Sequence, residues 1–216
     1  MTFSLNEIEA MGKRAARGAG LAWGLAEEAG KAARWLTARG LPGPEELAEV
    51  LTRNDGKGYD ELAPVSADGV WRAPSGRLCP LAAGAALGDR AAEIAAGRDF
   101  ELGPTAQPLL LAPYAAGAAK SAGCAIELSW AGAVMILAPE GISIEGEPAA
   151  LTVRSADSVR CRRAERTLAE SPSGAPGRAV DAETWSRLSA FAQRTFAPAS
   201  EASRLAGAGA GLTDND

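Results

Sequence analysis

Over residues 124–163 apolar and polar residues alternate in short runs divided by turn residues, and this stretch limits the possible folds more than any other. Cys124, Ile126, Leu128 and Trp130 alternate with Ala125, Glu127 and Ser129, which is the period of a strand with one buried face. After Ala131-Gly132 come Val134, Met135, Ile136 and Leu137, and a Pro139-Glu140-Gly141 turn leads to Ile142 and Ile144. Leu151 and Val153 continue the pattern, and Val159 and Cys161 finish it. Five short strands with tight turns predict an antiparallel sheet, polar on one face and needing cover on the other. The chain's own helices are the available cover. The expected class is therefore α+β: an antiparallel β-meander covered on one face by N-terminal and C-terminal helices.

Helix signals stand at both ends. Ser4-Leu5-Asn6-Glu7 reads as a capping box, predicting a helix to about Arg17 that Gly18-Ala19-Gly20 ends. A second helix is predicted over about 21–38, stopped by Gly40 and Pro42. Its apolar arc holds Leu21, Leu25, Ala29, Ala32, Ala33 and Leu36, an Ala-rich face suited to close helix packing. Glu27, Glu28, Lys31 and Arg34 lie opposite, flanked by Trp23 and Trp35. Pro44-Glu45-Glu46 opens a third helix to about Leu51. From Tyr59 to Gly123 the recurrence of Gly, Pro and Ala allows only a short helix over about 89–96 and a buried strand over 108–112. Ser171 to Gly177 has the composition of a linker. Asp181 caps a helix to about Phe196, with Trp185, Leu188, Ala192 and Phe196 on one face, and a last short helix starts at Ser200. The expected organisation is a helical unit over 1–53, a mixed region with the sheet over 54–170, and a linker, helix and Gly/Ala-rich tail over 171–216, packed as one compact domain.

Composition excludes several kinds of chemistry. The chain has no histidine, which removes Ser-His-Asp and Cys-His nucleophile activation and His-ligated metals. Three scattered cysteines add too few soft ligands, so neither a transition metal nor a cofactor is expected. The net charge of -5, from 27 acidic and 22 basic residues, is the opposite of a nucleic-acid footprint. No apolar run is long enough to span a membrane, and the N-terminus has no apolar core of a signal peptide. With an odd number of cysteines and no such signal, the expected setting is the cytoplasm.

Several constellations invite a functional reading. Lys120-Ser121, behind the expected strand and loop, resembles the end of a phosphate loop. That motif requires glycine at positions 114 and 119, where Tyr114 and Ala119 stand, and no helix is expected to follow. What survives is Lys120 with loop amides meeting a small anion. Arg154, Arg160 and Arg162 are expected on the sheet's polar face, suited to an anionic ligand or partner. Alternation turns Cys161 and Cys124 into the core, and Cys79 has no assignment. Gly207-x-Gly209-x-Gly211 has neither the strand nor the helix of a dinucleotide turn. The tail's Leu212 and carboxylates are instead expected to pack on the same domain or a neighbouring subunit.

The run 4–9, the segment from Gly20 to Lys31, and the C-terminal runs 198–204 and 207–216 resemble an uncharacterised bacterial family, domain of unknown function 3726. The resemblance implies no activity, cofactor or catalytic residue. It does mark Trp23, Glu27, Glu28, Lys31, Glu201, Arg204 and Asp214 as positions of interest. The candidate ligand-binding set is therefore Trp23, Glu27, Lys31, Lys120, Arg204 and Asp214. The expected role is to bind, or act as an enzyme on, an anionic small molecule of cytoplasmic metabolism, with a homo-oligomer or a partner subunit as the expected assembly. The alternative is an accessory or scaffold subunit that docks on a partner enzyme through its helices and tail.

Overall fold

The computed structural model of the protein describes residues 1–66, 68–165 and 179–196. Its first helices are α1 (Leu5–Gly18), α2 (Trp23–Ala38) and α3 (Gly43–Asn54). The capping box is formed: Glu7 N–H donates to Ser4 Oγ at 3.2 Å, and Ser4 N–H donates to Glu7 Oε2 at 2.8 Å. One device turns the chain after both α1 and α2. Gly20 and Gly40 have positive φ, and the amides of Leu21 and Leu41 bond back to the carbonyls of Ala16 and Leu36. That turn delays the start of α2 to Trp23, two residues beyond the expected start. The helices then cross at glycines. A Cβ on Gly12 would stand 3.1 Å from Gly30 Cα, and one on Gly30 would stand 2.5 Å from the Glu9 carbonyl. Ile8, Ala15, Ala26, Ala29, Ala33 and Leu36 are buried in the same core.

Next come α4 (Tyr59–Leu62), β1 (Val70–Trp71), α5 (Pro80–Gly88), α6 (Ala91–Ala95), β2 (Phe100–Leu102) and β3 (Thr105–Ala106). The expected strand over 108–112 is not there. Pro108–Leu111 is a 3-10 turn that runs into α7 (Ala112–Ala122). A short apolar run cannot by itself distinguish a buried strand from a buried helix. Here Pro108 and Pro113 fall in first-turn positions, where a missing N–H costs little, and the alanines beyond favour helix.

The remaining elements are β4 (Ile126–Trp130), β5 (Ala133–Ala138), β6 (Gly141–Gly146), α8 (Pro148–Leu151), β7 (Ser155–Ala156), β8 (Val159–Arg163) and α9 (Ala182–Gln193). The main sheet has the order β1-β2-β8-β4-β5-β6, antiparallel except for the parallel β1–β2 pair. The fold is α+β, with a mixed sheet in place of a pure meander. Leu151 and Val153 do not form a strand, because Pro148 opens a helical turn, and β7 pairs with β3 in a separate ribbon. β8 returns to the free edge of β4, setting Cys161 opposite both Leu128 and Phe100.

The sheet's inner face carries Phe100, Leu102, Leu128, Met135, Leu137, Val159 and Cys161, all buried. α7 lies directly on β4 and β5. The terminal helices form the layer behind it, with α2 against α5 and α7, and α9 against α1 and α3. Asp181 caps α9 as expected, accepting from Thr184 N–H at 2.8 Å. Phe196 lies beyond the helix end and is exposed, since α9 stops at Gln193 and the core-facing position passes to Phe191. Cys124, read as core, precedes β4 and is only half-buried, whereas Cys79 is buried at the head of α5. The linker, the helix expected from Ser200 and the Gly/Ala tail lie outside the described residues.

Candidate functional site

α2 presents two polar faces. Toward α1, Trp23 is 65% exposed, with the Arg17 guanidinium 4.6 Å and the Lys13 ammonium 5.7 Å from its ring centroid. Lys13 also donates to Glu27 at 2.5 Å, which holds the Glu27 carboxyl below its ordinary range. Trp23 and Glu27 thus belong to one α1–α2 surface cluster.

The other face of α2 forms one wall of a groove of about 380 Å³ between α2, α5 and α7. Lys31 lines it and donates to Glu28 at 2.7 Å, so the ammonium is held more firmly charged than usual. Trp35 completes that wall, carrying the Arg39 guanidinium 3.8 Å from its centroid. α5 contributes Gly88 and its C-cap Asp89, and α7 contributes Tyr114, Gly117 and Ser121. Beside Gly88 and Gly117 nothing lies within 4 Å of where a Cβ would be, so both glycines open onto free space.

Tyr114 is buried, and its hydroxyl has no hydrogen-bond partner among the described residues. Burial, with smaller contributions from Cys79 and Glu28, pushes the phenol far above its usual range. It therefore stays protonated as a hydrogen-bond donor. A buried donor without an acceptor costs about 1–3 kcal/mol. Asp89 makes no ion pair among the described residues, whereas Glu28 is engaged by Lys31. The lining residues thus carry one carboxylate in excess, with the Arg39 guanidinium packed on the Trp35 wall.

Lys120 does not sit in a loop after a strand. It is exposed in the last turn of α7, and its neighbour Ser121 is the one that lines the groove. The structure joins Trp23 with Glu27, and Lys31 with the groove, but does not gather all of these around one ligand. Glu201, Arg204 and Asp214 lie outside the described residues. Sequence reasoning missed Asp89, Tyr114 and Gly117. Pro113, Gly117 and Ser121 recur at four-residue spacing along α7, a signal hidden once residues 108–112 are read as strand.

On the outer face of the sheet, Arg162 donates to Glu127 at 3.1 Å and Arg160 is exposed beside it. Arg154 precedes β7, and its carbonyl accepts the Gln107 amide. Burial pushes the Cys161 thiol up to about 12 and raises the Cys79 thiol as well, so neither offers a thiolate near neutral pH. Among the described residues no helix is long and apolar enough to cross a membrane.

Comparison with curated proteins finds no match. The comparison with family models takes in the N-terminal runs that carry the resemblance, with the Glu28–Lys31–Trp35 wall of the groove, and stops short of α7 and the C-terminal runs. Residues 3–79 match the family described as a protein of unknown function, DUF3726.

Proposed function

We propose that this chain binds a small molecule of bacterial cytoplasmic metabolism in the α2–α5–α7 groove, with Lys31 receiving the ligand's anionic group. The observation that carries this reading is the groove itself, where three helices bring Lys31, Tyr114, Gly117 and Ser121 into one lining. The two open glycines support the reading, since neither places a side chain in the groove. The groove's volume lies at the small end of the usual range for ligand sites. Three free thiols are in keeping with a reducing compartment.

A thermal-shift screen against metabolites, run beside Gly117→Leu, tests this. A ligand at one hundred times its dissociation constant stabilises by about 2.7 kcal/mol. Such a ligand should raise the melting temperature of the parent and leave the filled variant unmoved. Equal shifts in both proteins would place binding elsewhere.

A second reading, an accessory subunit docking on a partner enzyme or a second copy, is favoured by the exposed Trp23 ring held between α1 cations. Exposed aromatics of this kind anchor protein interfaces. Trp23→Ala would then abolish an assembly seen by light scattering while the groove keeps its ligand.

A further inference from the structure

The charges of the groove define its ligand more narrowly, on the premise that the groove is a ligand site. Two carboxylates, Glu28 and Asp89, face one ammonium, Lys31. Lys31 already spends one donor on Glu28, so that pair is internally balanced and Asp89 is the surplus. Asp89 is exposed in the short link between α5 and α6. It is the C-cap of α5 and immediately precedes Arg90, the N-cap of α6. Its sequence neighbour Arg90 does not neutralise it, for Arg90 bonds the Ala86 carbonyl and reaches toward Glu93. A purely anionic ligand would meet this surplus carboxylate and be repelled. A purely cationic one would leave Lys31 with no part in binding.

We infer that the ligand of this groove is a zwitterion, an amino acid or related amine-bearing acid, whose ammonium group pairs with Asp89 while its anionic group pairs with Lys31. The ammonium takes up the charge of Asp89. The carboxylate uses the donors of Lys31 that Glu28 leaves free, within reach of a lining that also holds the Ser121 hydroxyl. Between the two ends, Trp35, Ala32 and Ala118 offer apolar surface to a short hydrocarbon chain.

The test is an NMR titration of the full-length protein, following the ring resonances of Trp35 and Tyr114. The probes are β-alanine, γ-aminobutyrate and norvaline. Each is measured beside the carboxylate that lacks the amine (propionate, butyrate, valerate) and the amine that lacks the carboxylate (ethylamine, propylamine, butylamine). At least one amino acid should bind about tenfold or more tightly than both of its halves. Asp89→Asn should bring that amino acid down to the affinity of its carboxylate half, and leave the carboxylate itself bound equally or better. The melting temperature of Asp89→Asn is measured beside that of the parent, so that loss of binding is told apart from unfolding. If amino acids bind no better than their carboxylate halves, if Asp89→Asn leaves their affinity unchanged, or if no probe moves either ring, the inference is overturned. The metabolite screen separates the two readings. A groove ligand found there alongside any of these results removes the zwitterion alone, whereas a screen without a groove ligand removes the binding function itself.

Discussion

The ring of Tyr114 lies so close to Gly84 that a methyl group on residue 84 would stand 2.5 Å from the ring carbon Cδ2. α5 and α7 thus meet through a bare backbone on one side and an aromatic face on the other, and this contact fixes one flank of the groove. Gly84→Ala must displace the ring. The expected cost is about 1–3 kcal/mol in urea unfolding, the usual range for overpacking a close-packed core. An unchanged midpoint would mean that the two helices slide apart freely.

Gly117 behaves in the opposite way. It sits inside α7 with open space where its Cβ would be, so Gly117→Ala should stabilise the protein by about 0.5–1 kcal/mol. The same denaturation measurement decides it, and a loss of stability would show that the space is not free.

α2 contains a matched pair for the same comparison. Gly24 has nothing within 4 Å of its Cβ position, while a Cβ on Gly30 meets the backbone of α1. Gly24→Ala should be neutral or gain up to about 1 kcal/mol. Gly30→Ala should lose about 1–3 kcal/mol, because the atom it strikes is a carbonyl and not the tip of a flexible side chain. If the two variants have equal stability, α1 and α2 do not cross where described.

Glu46 gives the protein a pH dependence of unusual sign. Burial, reinforced by Glu49 and Glu45, pushes its carboxyl from the ordinary 4.5 up to about 8. Below pH 4.5 the acid is neutral in both folded and unfolded chains and costs nothing extra. Between pH 4.5 and 8 the unfolded chain ionises and the folded one resists, so stability falls as pH rises and levels off above 8. Each tenfold difference in acidity is worth about 1.4 kcal/mol, which makes the whole fall a few kcal/mol. Glu46→Gln should flatten the profile across that window. A parent protein whose stability does not decline between those limits would contradict the burial of this carboxyl.

Sequence periodicity carried the elements whose signals are local. The Ser4 box, the turns at Gly20 and Gly40, the Asp181 cap and the alternation through Ile126, Leu128 and Trp130 each depend on residues a few positions apart, and each stands where expected. The groove was half legible. Glu28 and Lys31 follow from the polar arc of α2, but Tyr114 and Asp89 join them only because α5 and α7 pack beside that helix. No spacing rule encodes such a meeting. The leucine run 109–111 reads equally well as strand, and its true state is set by two prolines and the alanines beyond them. Trp23, which the helical projection sets beside the polar arc of α2, stands mostly in solvent.

The position of β8 bears on how the chain comes to be assembled. Within the main sheet, β1 and β2 form one part, β4, β5 and β6 form another, and β8 is the strand that joins them. It is also the last of these strands to leave the ribosome, so during synthesis both parts wait with an open edge, β2 on one side and β4 on the other. Paired edges are the form in which such strands resist aggregation. Closure requires Cys161 to settle between Phe100 and Leu128, one pairing of long sequence separation and one of shorter separation made by the same residue. Long-range pairing of this kind slows folding, while the α1–α2 hairpin, made of neighbours in the chain, can form at once. The nascent chain is thus most exposed to misassembly in the interval after β6 has emerged and before β8 arrives.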